Sequence, residues 1–163
     1  MPVHPLAIGL ACAVAALVGV AAVHDATARR VPNAVCLLLI AIYPAIFATP
    51  AAPQPIWGGL AAALAVFAVG AVVFAAGWLG GGDVKLLSVL ALWAGAAHVA
   101  ELLLITALAG GVLALAVLVY SRAVAVVPAL AIGSRVPKQA TLPYGVAIAC
   151  GGLWIAATLI GAA

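Results

Sequence analysis

Residues 56–87 read IWGGLAAALAVFAVGAVVFAAGWLGGGDVKLL, an apolar run that ends in three glycines, an aspartate and a lysine. The apolar part is long enough to cross a bilayer as a helix, which takes about 20 apolar residues. Asp83 therefore stands at the boundary of a predicted membrane span. The stretch indicates a membrane protein, and it singles out Asp83 as one of only three acidic residues in the chain.

The composition of the whole chain leads to the same class. Of its 163 residues, 69% are hydrophobic and 6% are charged, whereas soluble domains carry about 25% charged residues. We therefore expect residues 1–163 to form a single membrane-embedded domain of the all-α class, a polytopic helical bundle in the lipid bilayer. The pI near 9.0 does not indicate nucleic-acid binding, because the six basic residues are scattered along the chain.

Charges, prolines and glycines divide the chain into about six predicted transmembrane helices, with four or five as alternatives. The N-terminal apolar run has no Lys or Arg before it, as a signal peptide would, so we expect it to be retained as the first span. The predicted spans cover about 5–23, 34–49, 56–79, 86–99, 102–120 and 142–161.

The basic residues predict the orientation of this bundle. All six follow odd-numbered spans and so share one side: Arg29, Arg30, Lys85, Arg122, Arg135 and Lys138. The positive-inside rule makes that side cytoplasmic. We therefore expect a protein of the inner (cytoplasmic) membrane with both termini outside and with Glu101 on the outer side.

Asp25 and Asp83 are then expected on the same cytoplasmic face, each at the end of a span. A charge at the boundary costs less than one at the midplane, where insertion scales give about 3 kcal/mol, so two solvated interfacial carboxylates are one interpretation. Glycines 80–82 favour another, because they allow close approach of a second chain and a helix cap needs only one glycine. We expect a short unwound segment that admits water and a peptide to Asp83.

Two carboxylates on one face point to aspartic-protease chemistry. Neighbouring carboxylates cannot easily both ionise, so they share a proton. The charged member can then activate a water while the protonated member donates to the scissile group. Cys12, Cys36 and Cys150 form no CxxC or Cys/His cluster and are interpreted as structural thiols. We expect neither a metal nor a cofactor.

Three segments occur in a family-specific order. GGGDVKLL at 80–87 matches a GxGD pattern, DATARRVPN at 25–33 matches an aspartate followed by basic residues and Val-Pro-Asn, and LPYGVAIACGG at 142–152 carries a late Pro-Tyr-Gly. Together they resemble the type IV prepilin peptidases, which are GxGD-type membrane aspartic peptidases. The chain resembles the short Tad/Flp-type or archaeal-type members, without the N-terminal methyltransferase region of larger ones.

The resemblance implies a function and a set of site residues. It makes Asp25 and Asp83 the catalytic pair and makes the substrate the short basic leader of a prepilin or pseudopilin, cut at the cytoplasmic face before an apolar helix. The residues expected to shape the site are Gly80, Gly82, Lys85, Pro32, Asn33, Pro143, Tyr144 and Gly145.

Several assignments near the site stay open at this stage. Lys85 either tunes Asp83, orients a substrate carbonyl or serves as a topogenic charge. Arg29 and Arg30 either contact acidic substrate groups or anchor the chain at the interface, and anchoring is the favoured interpretation. Asn33 is expected to cap the second span or bind backbone, and His24 to lie at the interface beside Asp25.

Two other functions remain as alternatives. One is a small proton- or cation-coupled transporter that uses the same two aspartates. The other is a non-enzymatic assembly subunit of a secretion machine, which leaves the GGGD and VPN segments unexplained. The sequence leaves open whether the protein forms a homo-oligomer.

Overall fold

The computed structural model describes residues 4–50, 56–126 and 144–161, and this part of the chain contains helices and turns without strands. The helices are α1 (Pro5–Ala28), α2 (Asn33–Ile42), α3 (Ile56–Ala75), α4 (Gly81–Val126) and α5 (Tyr144–Gly161). A 3₁₀ turn, Tyr43–Ala48, continues α2, because Pro44 has no N–H with which to extend the α-helical hydrogen bonding.

Four of the described helices are long and apolar enough to cross a membrane. These segments are Pro5–Ala28, Trp57–Ala75, Gly81–Ala123 and Tyr144–Gly161, and Asn33–Ala48 is apolar but shorter. The expected all-helical membrane architecture is therefore supported, whereas the count of about six spans is not confirmed.

Helix α4 is interrupted at Gly95, whose φ of 63° and ψ of −176° are not helical. This combination of angles is open essentially only to glycine. The interruption divides α4 into a first arm, residues 81–94, of about 21 Å and a second arm, residues 96–126, of about 46 Å. The sequence had predicted this break at the charge of Glu101, but the structure places it six residues earlier, at Gly95.

The two arms of α4 run in opposite directions, as their contacts with α5 show. In the first arm, Leu90 lies beside Gly152, and the earlier residue Asp83 shares a cavity with Asp25, which binds Gly145 at the start of α5. In the second arm, Leu102 lies beside Gly151, and the later residue Gly110 lies beside Tyr144 at the start of α5. The first arm is therefore parallel to α5 and the second antiparallel to it, so α4 folds back on itself at Gly95.

Glycines of α5 allow this close packing. A Cβ at Gly151 would lie 2.5 Å from Thr106 Oγ1, and a Cβ at Gly152 would lie 3.0 Å from side-chain atoms of both Leu90 and Val18. Small residues at membrane-helix interfaces let backbones approach in this way. Helix α5 therefore packs against α1 and both arms of α4.

Helix α1 turns one stripe of side chains toward this core. Its buried residues recur at intervals of three and four, the spacing of one helix face, and they are Ala7, Leu10, Ala11, Val14, Val18, Ala21 and Asp25. Asp25 is thus the last member of a buried stripe. Since α1 continues to Ala28, Asp25 lies within the helix and not, as the sequence predicted, at the start of a loop.

Candidate active site

Asp83 lies in the first turn of α4. Helix α3 ends earlier with a Schellman motif, in which the N–H groups of Gly77 and Trp78 donate to Phe74 O (2.9 Å) and Val73 O (3.1 Å) and Gly77 has a φ of 77°. The N–H of Val84 then donates to Gly80 O at 3.1 Å to open α4. A non-helical segment, residues 76–80, thus precedes α4, and Asp83 lies in the first turn of that helix and not, as predicted, at the end of the preceding span.

Each glycine of the run makes room for a neighbour. A Cβ on Gly80 would lie 2.8 Å from Asp83 Oδ2, because the carboxylate folds back over the start of its own helix. A Cβ on Gly82 would lie 3.1 Å from Val31 Cβ in the segment that follows α1. Gly80 and Gly82, both predicted to shape the site, therefore let the Asp83 carboxylate and the segment after α1 lie close to the start of α4.

Asp25 is held by the start of α5. Its side chain is buried, with a relative exposure of 6%, and its Oδ2 accepts a 2.8 Å hydrogen bond from the backbone N–H of Gly145. The first N–H groups of a helix lack partners within the helix and favour anions. A Cβ on Gly145 would lie 2.8–2.9 Å from Asp25 Cβ, Cγ and Oδ2, so only glycine allows this approach.

Both carboxylates open into one cavity of about 290 Å³. The segment after α1 and the start of α4 form its walls, and its lining residues are Asp25, Arg29, Arg30, Val31, Asn33, Gly80, Gly81, Gly82, Asp83 and Lys85. Two acids and three bases therefore face a space that is large enough for several waters or part of a peptide. Buried and half-buried carboxylates in such a cavity are suited to general acid–base chemistry.

Lys85 joins the site to α2. Its Nζ donates to Asn33 Oδ1 at 3.3 Å. Pro32 is the N-cap residue of α2 and Asn33 its first residue, as predicted, but the Asn33 side chain bonds Lys85 instead of capping the helix. Trp93 Nε1 donates to Leu39 O at 3.2 Å further along α2, so a second hydrogen bond fixes the position of this helix against α4.

Arg29 has the left-handed backbone conformation that ends α1, with φ 54° and ψ 37°. This conformation is uncommon for a residue other than glycine. It turns the chain so that Arg29 and Arg30 both line the cavity. Interfacial anchoring was the favoured interpretation of both residues from the sequence, although they are the basic residues of the DATARRVPN segment at 25–33.

A family model for the type IV leader peptidase family matches residues 12–115, which is more than half of the chain. The chain belongs to the type IV leader peptidase family. The match includes Asp25, Asn33, Asp83 and Lys85, and it ends before Gly145. Searches of curated proteins and of solved structures gave no match.

The remaining residues that the sequence placed at or near the site of this leader peptidase family member do not line the acid cavity or lie outside the described residues. Tyr144 begins α5 and packs against Gly110, where a Cβ would lie 2.8 Å from its hydroxyl oxygen. Pro143 lies outside the described residues. His24 does not bond Asp25; its Nδ1 lies 3.1 Å from Val20 O. The described residues contain no group of three or more His, Cys, Asp or Glu side chains that could hold a metal ion.

Proposed function

We propose that the chain is an aspartic endopeptidase that removes the short leader from prepilin or pseudopilin substrates, with Asp25 and Asp83 as its catalytic pair. The observation that carries the proposal is the common cavity of the two carboxylates. They are brought there from different helices, 58 positions apart in sequence by their numbers. Membership of the leader peptidase family supports the reaction class.

The proposed reaction uses one shared proton. The ionised carboxylate removes a proton from a water held in the cavity, and the water oxygen bonds to the scissile carbonyl carbon. The protonated carboxyl donates its proton to the carbonyl oxygen. Breakdown of the resulting gem-diol breaks the C–N bond, and the proton taken from water passes to the leaving amine. A hydroxyl of the gem-diol returns its proton to the carboxylate that had protonated the carbonyl oxygen, which leaves a carboxylic acid product and restores the singly protonated pair.

Backbone and basic groups around the pair support this chemistry. The Gly145 N–H fixes the orientation of the Asp25 carboxylate, and its position at a helix start stabilises negative charge. Asp83 has a similar location at the start of α4. Fixed donors of this kind need no rearrangement as charge moves during the reaction. Lys85 adds a third cationic group within the same cavity.

The proposed location is the cytoplasmic face of the inner membrane. Arg29, Arg30 and Lys85 all lie at the end of the bundle that carries the two acids, and the positive-inside rule favours the cytoplasm for such an end. Glu101 accepts a 3.0 Å hydrogen bond from Trp154 Nε1, nine positions along α5 from Gly145 and toward the opposite end. A prepilin leader, which is made in the cytoplasm, would reach the acids from that side.

The test is co-expression with a Flp-type prepilin, with leader removal followed by mass spectrometry. We expect the wild type to shorten the pilin and Asp25→Asn or Asp83→Asn to slow cleavage by at least about a hundredfold, the lower range for general acid–base groups. Glu101→Gln is the matched control, since this third acid lies away from the cavity and should leave cleavage unchanged.

The outcomes separate the proposal from its alternatives. Cleavage by either Asp→Asn variant at the wild-type rate would remove that residue from the catalytic pair. Uncut pilin with a properly inserted wild type would argue against this substrate class. Equal cleavage by wild type and both variants would contradict the aspartic mechanism while leaving a peptidase in place.

A further inference from the structure

A second cavity, of about 430 Å³, adjoins the site that holds the two acids. It lies between α2, α3 and the first arm of α4, and we call it the lateral groove. Asn33 and Lys85 line both the lateral groove and the acid cavity. The two spaces are therefore neighbours that meet at the hydrogen-bonded Asn33–Lys85 pair.

The lateral groove is apolar beyond that pair. Its other lining residues are Cys36, Leu37, Ile40, Phe67, Ser88 and Val89. The Ser88 hydroxyl donates a 2.7 Å hydrogen bond to Val84 O within α4, so its proton is not available to a ligand in the groove. A ligand in the groove would therefore meet hydrocarbon, aromatic and thiol surface, in contrast to the five charged side chains of the acid cavity.

The groove also opens outward along the bundle. Leu37 is 66% exposed and Phe67 is 49% exposed, and both belong to apolar helices, of which α3 is long enough to cross a membrane. An apolar segment could enter from the side without leaving the hydrocarbon region. A polar segment has no such reason to leave the water-accessible, charged cavity, because burying its groups without partners costs free energy.

We propose that the lateral groove binds the apolar segment of the substrate adjoining the scissile bond, while the polar segment lies in the acid cavity. This inference rests on the proposed peptidase function. One peptide can occupy both spaces only if it changes from polar to apolar where it passes Asn33 and Lys85. The groove thus selects substrates that have this change of polarity. The Asn33 amide and the Lys85 ammonium lie at the point where the carbonyl groups of the peptide pass from the water-accessible cavity into the apolar groove.

Site-specific photocrosslinking tests this placement. A benzoylphenylalanine at position 37 or 67 would be introduced into the Asp83→Asn protein, with uncut Flp-type prepilin as the probe. Position 72 is the matched control, since Val72 is an apolar residue of α3 with 70% exposure that does not line the groove. We expect crosslinks from 37 and 67 to the apolar segment next to the cleavage site, and at least fivefold fewer from 72.

Kinetics provides a second readout. Phe67→Ala should raise KM for prepilin several-fold and leave kcat within about twofold, because a lost binding contact away from the reacting atoms acts mainly on KM. Val72→Ala should change neither. Equal crosslinking from 37, 67 and 72, crosslinks to lipid only, or crosslinks to the leader would overturn the inference.

Failure of this inference can be told from failure of the proposed function. If the wild type cuts prepilin but the groove positions give no crosslink to it, the substrate takes another path and the peptidase assignment stands. If the wild type does not cut prepilin, the proposed function fails, and the inference that rests on it fails as well.

Discussion

Asp25 enters the site because it continues the buried stripe of α1. Asp83 occupies the corresponding place on α4, three residues before the fully buried Leu86 and seven before Leu90. Helical spacing thus directs both side chains toward the bundle. This spacing is present in the sequence. Each acid lies at the same helical interval as the buried apolar residues of its helix, whereas a carboxylate that is only solvated could lie on any face.

Gly145 is the residue on which the geometry of Asp25 most depends. We expect Gly145→Ala to reduce kcat for prepilin cleavage at least tenfold, because the new Cβ would lie within 2.9 Å of Asp25 Cγ and Oδ2 and displace the carboxylate. Gly19→Ala is the control, as nothing lies within 4 Å of a Cβ there. Full activity of the Gly145→Ala protein would show that Asp25 does not need this position.

Arg29 combines an unfavourable backbone with a place in the cavity. Arg29→Gly should stabilise the protein by about 1 kcal/mol, since glycine adopts the left-handed conformation without the steric cost borne by other residues. Arg29→Ala removes the same guanidinium and keeps that cost, so it should not stabilise. Thermal unfolding in detergent distinguishes them; equal midpoints would contradict the argument from backbone strain.

At the scale of elements, the helix boundaries were predictable to within a few residues wherever proline, glycine and charge agreed. Helix α2 begins at Asn33 after Pro32, and α5 begins at Tyr144, as predicted. The break between the predicted fourth and fifth spans was misplaced because Glu101 was treated as a boundary. The structure shows why an acid can remain in the helix: Trp154 and His98 both contact its carboxylate.

Gly95 sets the reversal of α4. Gly95→Ala should destabilise the fold by about 1–3 kcal/mol, because its backbone angles are strained for any residue with a Cβ. Gly111→Ala, in the same helix and with nothing within 4 Å of its Cβ, should be neutral or stabilising by up to about 1 kcal/mol. Denaturant unfolding in micelles measures both, and a neutral Gly95→Ala would mean that the reversal does not depend on glycine.

At the scale of the whole molecule, the sequence indicated the membrane class and predicted the two acids that the structure brings into one cavity, but it did not reveal which elements enclose them. The pairing of Asp25 with Gly145 spans 120 positions, and no local pattern encodes so distant a contact. The cavity roles of Arg29 and Arg30 were hidden for a similar reason. A basic pair beside a membrane span has the same local sequence whether it faces lipid or a site.

The orientation of the bundle can be tested on intact cells. With the native cysteines replaced, Ala97→Cys next to the α4 reversal should react with an impermeant maleimide added outside. Ala28→Cys at the end of α1 should react only after permeabilisation, because the positive-inside rule favours the cytoplasm for the end of the bundle that carries Arg29, Arg30 and Lys85. The reverse labelling pattern would place the acids on the outer face.

The hydrogen bond between Gly145 and Asp25 joins residues that are synthesised at different times. Translation proceeds from the N-terminus, and at about 5–20 residues per second the 120 positions between them take roughly 6 to 24 seconds to synthesise. Throughout that interval the nascent chain has its first aspartate but not the amide that orients it. The orientation of Asp25 seen in the folded protein can therefore be reached only after the start of α5 has been synthesised.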